Sequence, residues 1–147
     1  MDLRHALQLI KCNNYPGKVD LKSAYRSVKC HNSDHSLMGL QWTFTGDNLP
    51  TYMYDEKLLF GHARSPKIFQ QLSSSVCSIM KCTYNVTCIA YLDDFLVIVD
   101  SFSKCQRGIR LLIQINEEAA LPTSSSSKEP AQNFSDFFIE KKRWNKR

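Results

Sequence analysis

Apolar positions along the chain change period several times, and each change marks an element. Leu3, Ala6, Leu7 and Ile10 fall at i, i+3, i+4 and i+7, the stripe of a short amphipathic helix with Asp2 as its N-cap. Asn13-Asn14-Tyr15-Pro16-Gly17 has turn chemistry and closes that helix. Lys18-Val19-Asp20-Leu21 is short and strand-like. Residues 37–44 and 51–54 are expected as two strands joined across Gly46-Asp47-Asn48. After a loop over 58–64, Ser65 and Pro66 supply a helix start, Ser as N-cap and Pro at the first helical position. Phe69, Leu72, Val76 and Ile79 carry the apolar face of that helix to about Met80. The pattern then tightens into two runs, 88–92 and 95–99, rich in β-branched and aromatic residues and suited to two buried strands. A last helix is expected from about Ser103 to Ala119, with Cys105, Ile109, Leu112 and Ile113 inward and Gly108 weakening it; Leu121-Pro122 stops it.

From Thr123 the patterning fades. Four serines (124 to 127) and Lys128-Glu129-Pro130 are poor in core-forming residues, and Phe134, Phe137, Phe138 and Ile139 sketch one weak strand. The chain therefore divides into one patterned domain, 1–122, and an irregular segment, 123–147, that ends in a basic tail. With 43% hydrophobic and 11% aromatic residues, the 147-residue chain can build a core and is not wholly disordered. No apolar stretch is as long as a membrane span, and the first residues lack the apolar region of a secretory leader. An intracellular location is expected, cytoplasm and nucleus being equally open. The six cysteines form no C-x-x-C pair or zinc-like spacing, so buried reduced thiols are expected, and Asn85-Val86-Thr87 reads as a chance sequon.

The net charge of +5 is concentrated at one end. Lys141, Lys142, Arg143, Lys146 and Arg147 are five of the 19 basic residues, which leaves 14 basic against 14 acidic groups in 1–140. Bulk charge in the domain therefore announces no nucleic-acid partner, while the tail suits nucleic-acid contact, nuclear import or plain solubility.

The candidate chemistry sits at Tyr91-Leu92-Asp93-Asp94, the one polar point of the run 86–99. Two adjacent acids there read as the tip of a tight β-hairpin. Their repulsion is relieved by protonation or by a cation. The stretch alone admits a solvated turn or a divalent-metal site that awaits a third carboxylate. Asp20, at the end of its strand, is the candidate partner. A strand-end acid with a hairpin acid pair is the arrangement that two-metal phosphoryl transfer requires, because hard Mg²⁺ ions take oxygen ligands.

These residues resemble a known family. Lys18-Val19-Asp20-Leu21-Lys22-Ser23-Ala24-Tyr25-Arg26 is similar to the first palm motif of reverse transcriptases. Leu58-Leu59-Phe60-Gly61, followed by Ser65-Pro66-Lys67-Ile68-Phe69, resembles their second, and Tyr91-Leu92-Asp93-Asp94-Phe95-Leu96 their Tyr-x-Asp-Asp box. Order and spacing agree, with the first and third acids 73 positions apart. The stretch from Asp34 to Trp42 resembles more narrowly the DIRS-type (tyrosine-recombinase) retrotransposons. The likeness covers roughly residues 2 to 130.

The resemblance implies an α+β palm: an antiparallel sheet with helices on one face and the Asp-Asp hairpin at its centre. It implies RNA-directed DNA polymerase activity by two-metal nucleotidyl transfer with Mg²⁺ or Mn²⁺, acting on an RNA or DNA template–primer and deoxynucleoside triphosphates (dNTPs). Asp20, Asp93 and Asp94 would be the catalytic acids and metal ligands, with Leu21 adding its backbone carbonyl. Tyr25 would be the steric gate against a 2′-hydroxyl; by itself it reads as a core aromatic, and its place beside Asp20 favours the gate. Phe60 and Gly61 would border the incoming nucleotide, Gly61 permitting close approach, and Lys128 would lie near the leaving pyrophosphate. The chain departs from the family at Leu59, where proline is usual, and at His62, where an apolar residue is common. Phe137-Phe138-Ile139 lacks the glycine of the primer-grip motif. Most of the fingers, the thumb and an RNase H region are expected to lie outside this fragment. Two rival readings remain: an inactive remnant of a transposable element that binds nucleic acid weakly at most, and a carboxylate-cluster nuclease, disfavoured by the second motif.

Overall fold

The computed structural model describes residues 14–124. The expected helix at 3–10, Lys128, the weak strand around 134–139 and the basic tail lie outside the described residues. The described elements run β1 (Tyr15–Asp20), α1 (Ala24–Ser27), a 3-10 helix (Asn32–Met38), β2 (Gly39–Trp42), β3 (Thr51–Tyr54), α2 (Ser65–Tyr84), β4 (Thr87–Tyr91), β5 (Asp94–Val99) and α3 (Phe102–Glu118). β1, β5 and β4 pair antiparallel in that order, so the β4–β5 hairpin supplies the central strand. β2 and β3 form a separate antiparallel ribbon. α2 packs on β4, α3 packs on β1 and β5, and the two helices touch. This is the expected α+β architecture.

The period of two explains why both helices take the same face. Val19, Phe95 and Ala90 stand level across the three strands, as do Gly17, Val97 and Cys88 in the next row but one. Their side chains build the core with Phe69, Val76, Cys77 and Met80 of α2 and Cys105, Ile109 and Leu112 of α3. Alternate positions, Asp20 level with Asp94 and Tyr91, Lys18 level with Leu96 and Ile89, take the other face. Cys77, Cys88 and Cys105 are buried free thiols, as the cysteine spacing predicts, whereas Cys82 is exposed. No helix among the described residues is long and apolar enough to cross a membrane.

Several boundaries differ from expectation for identifiable reasons. Tyr15, Pro16 and Gly17, expected in a turn, are the first half of β1. β1 is an edge strand, where a proline's missing donor is tolerated. Gly17 is required by α3: a Cβ there would stand 2.6 Å from Ile109 Cδ1 and 2.8 Å from Cys105 Sγ. The strand expected over 37–44 shortens to Gly39–Trp42, because the His31 side chain accepts the Ser33 N–H and caps a 3-10 helix that takes 32–38. Ser65 lies inside the first turn of α2 rather than capping it, and its buried hydroxyl has no partner among the described residues. α2 runs past Met80 to Tyr84 and stops where Asn85 turns left-handed, φ 52°, with its N–H on the Lys81 carbonyl. α3 starts at Phe102, one residue ahead of the expected start, and Ser101 caps it by accepting the Lys104 N–H.

Candidate active site

β1 ends on Asp20 and β5 starts on Asp94, and the register sets these two directly opposite each other. Asp94 also pairs with Tyr91, which leaves Leu92 and Asp93 as a two-residue turn. The adjacent acids are therefore inequivalent: Asp93 alone sits in the turn, half-buried, and Asp94 is the exposed first residue of a strand. The Leu21 N–H reaches across to the Asp93 carbonyl at 3.2 Å, joining the end of β1 to the turn. Residues 122–124 return to the same place. Lys22 N–H donates to the Pro122 carbonyl, Ser124 N–H to the Asp20 carbonyl at 2.8 Å, and Leu21 bridges Thr123.

Electrostatics ties the three acids together. Burial pushes the Asp20 carboxyl above the ordinary aspartate value; the Ser124 hydrogen bond and Lys18 oppose this, and the charges of Asp94 and Asp93 add to it. Lys18 Nζ lies 2.7 Å from Asp94 Oδ1, both side chains about half exposed. Lys18 is diagonal to Asp94 on one face of the β1–β5 pair, within reach of a long side chain.

Tyr25 is 6% exposed and lies between Phe69, stacked at 5.0 Å, and Phe60, tilted at 4.7 Å. Burial raises its phenol pKa, and the charge of Asp93 pushes the same way. Tyr25 is thus packed as a core aromatic while close enough to feel the turn acid. Phe60 is 81% exposed beside it. Gly61 holds φ 85°, a left-handed backbone, and a Cβ there would meet nothing within 4 Å. Its conformation calls for glycine; crowding within the chain does not. Leu21 is buried next to Asp20.

Asp20, Asp93 and Asp94 offer hard oxygen donors of the kind Mg²⁺ and Mn²⁺ take, and the mutual action of their charges shows that they share one field. Among the described residues, however, no group of three or more His, Cys, Asp or Glu closes far enough to hold an ion. The donor chemistry fits a divalent cation, and Asp94 is engaged by Lys18.

Three residues of the site escaped the sequence reading. Lys18 carries a signal, since it stands two positions before Asp20 in a strand and so shares its face. Gln70 and Ser73 of α2 bond to the turn: Gln70 Oε1 accepts the Leu92 N–H at 2.9 Å, and Ser73 Oγ lies 2.6 Å from the Leu92 carbonyl. Their signal is weaker, two polar residues three apart on the side of α2 that also carries Phe69 and Val76.

An antiparallel sheet with both helices behind it and an acid-bearing hairpin turn opposite a strand-end acid makes a palm-like α+β domain. Residues 1–127 match the reverse transcriptase (RNA-dependent DNA polymerase) family, and the chain belongs to that family. It is also 27% identical over 97 residues to the Gag-Pol polyprotein of Koala retrovirus, a match that covers 65% of this chain and 6% of the polyprotein.

Proposed function

We propose that this chain is the palm part of an RNA-directed DNA polymerase of a retroelement, joining dNTPs to a primer 3′-hydroxyl on an RNA or DNA template. The observation that carries this reading is the register of Asp20 opposite Asp94, with the Asp93 turn locked to Leu21 beside them. Asp20 and Asp93 would hold Mg²⁺ or Mn²⁺, with Asp94 and the Leu21 carbonyl completing the protein's share. When bound, the ions acidify the attacking hydroxyl and offset charge on the phosphoryl group in transfer. The chain's own residues hold the carboxylates in place and present Tyr25, whose ring would fill the space of a 2′-hydroxyl, with exposed Phe60 and Gly61 at the nucleotide. Lys128 would stand by the leaving pyrophosphate. The stretch from Asp34 to Trp42 supports a DIRS-type origin, with 1–122 as palm and 123–147 as an appended segment. Fingers, thumb and RNase H regions would come from the rest of a longer product, working in cytoplasm or nucleus.

The zero net charge of 1–140 favours a second reading, a catalytically silent remnant that binds nucleic acid weakly through its tail. Equilibrium titration of the chain with dCTP and CTP in Mn²⁺ separates the two. A working site binds dCTP in preference to CTP, loses dCTP with Asp20→Asn, and loses the preference with Tyr25→Val. Equal binding of both nucleotides, unchanged by Asp20→Asn, refutes the polymerase site.

A further inference from the structure

We infer that Gln70 and Ser73 of α2 are positioning residues that hold the Leu92 peptide in its turn and thereby aim the Asp93 carboxylate, an inference that rests on the carboxylate site proposed above. Leu92 has φ 54°, the left-handed region, which is unfavourable for a residue with a Cβ. Such a conformation persists only where its surroundings over-determine it. Those surroundings are the tight β4–β5 turn, whose first position takes a positive φ, and two polar side chains on one helix. Gln70 uses both ends of its amide, accepting the Leu92 N–H at 2.9 Å and donating Nε2–H to the Ala90 carbonyl at 3.1 Å. Ser73, fully buried, has one hydroxyl proton and two acceptors within reach, the Leu92 carbonyl at 2.6 Å and the Phe69 carbonyl at 3.1 Å. The shorter contact is the one to the turn.

The consequence for Asp93 follows from peptide planarity. The Leu92 carbonyl and the Asp93 N–H belong to one rigid plane, so a bond to that carbonyl sets where the Asp93 Cα starts. On its other side the Asp93 carbonyl accepts the Leu21 N–H at 3.2 Å. The turn acid is thus held from α2 before it and from the end of β1 after it. A packed helix of 20 residues is a stiffer reference than a two-residue turn. Without these bonds the Leu92 peptide would be freer to rotate, and the Asp93 side chain that starts from it would be less firmly aimed.

The test is made on the full chain with Mn²⁺ alone as probe, following free Mn²⁺ by electron paramagnetic resonance and amide exchange by NMR. Gln70→Leu should speed exchange of the Leu92 amide about tenfold and leave the Val97 amide of β5 unchanged. Ser73→Ala and Gln70→Leu should each weaken Mn²⁺ binding about three- to tenfold, and Ser73→Thr, which keeps the hydroxyl, should restore most of it. Mn²⁺ binding that is unchanged in both Ser73→Ala and Gln70→Leu but lowered by Asp93→Asn overturns the inference and leaves the carboxylate site standing. Mn²⁺ binding that survives Asp93→Asn overturns the site itself, and the aiming role with it.

Discussion

Lys18 and Asp94 form an ion pair at the proposed carboxylate site, and the pair has a chemical cost for metal binding there. An ion that takes Asp94 must displace an ammonium group 2.7 Å away. Because both partners are half exposed, water screens the pair and it is worth less than ~1 kcal/mol. Lys18→Ala should therefore tighten Mn²⁺ binding about two- to fivefold, as read by free-Mn²⁺ resonance. Asp20 sets the pH dependence. Its folded pKa lies above the ordinary 3.8, chiefly through burial, so the native state holds this proton more tightly than the unfolded chain does. The linkage sign follows: stability from this group declines as pH rises from 3.8 to the folded value, and the ionised carboxylate is a burden at neutral pH. Asp20→Asn should raise Tm at pH 7, with a difference that vanishes below 3.8. Mn²⁺ binding by the parent chain should fall with acid at a midpoint above 3.8, because the ion needs the ionised form. A midpoint at or below that value would contradict the assignment of Asp20 as a ligand.

At the scale of elements, α3 meets the sheet through two features that local pattern does not reveal. The first is Gly17, whose missing Cβ lets Ile109 and Cys105 approach the edge strand. The second is Asn116, fully buried near the end of α3, with neither side-chain Oδ1 nor Nδ2 hydrogen-bonded among the described residues. An unpaired buried amide costs about 1–3 kcal/mol. Asn116→Leu, which keeps the branched shape, should therefore stabilise the fold by about 1–2 kcal/mol and raise Tm by roughly 3–8 °C. A thermal melt followed by circular dichroism checks it, and a fall in Tm would show that the amide is needed. The hairpin of β4 and β5 was legible in sequence because two β-rich runs flank one polar point. The start of β1 was not, because a turn-forming Tyr-Pro-Gly was drawn into a strand by pairing with Val99, Ile98 and Val97.

For the whole molecule the decisive quantity is charge. Primer–template binding takes a basic groove that tracks the backbone, and residues 1–140 have no net positive charge to line one. The tail can give salt-sensitive, sequence-blind binding without orienting a 3′-hydroxyl. The chain alone should accordingly give no primer extension on an RNA template, in Mg²⁺ or Mn²⁺, above its Asp93→Asn, Asp94→Asn double variant. Extension by the parent alone would show that the palm suffices.

The chain's local chemistry determined most of its elements, the start of β1 and the 3-10 helix excepted, and it marked the three acids as candidates. A helix face, a hairpin, the helix-opening Pro66 and the helix-stopping Pro122 act over a few residues, and Asp93 and Asp94 are covalent neighbours. Tertiary structure decided how those parts meet. That Asp20 stands opposite Asp94, that Asp93 occupies the turn, that Lys18 engages Asp94 and that Gln70 and Ser73 hold Leu92 all depend on strand register and helix placement. A slip of one residue in the pairing would turn Asp20 to the core face and leave every local pattern intact.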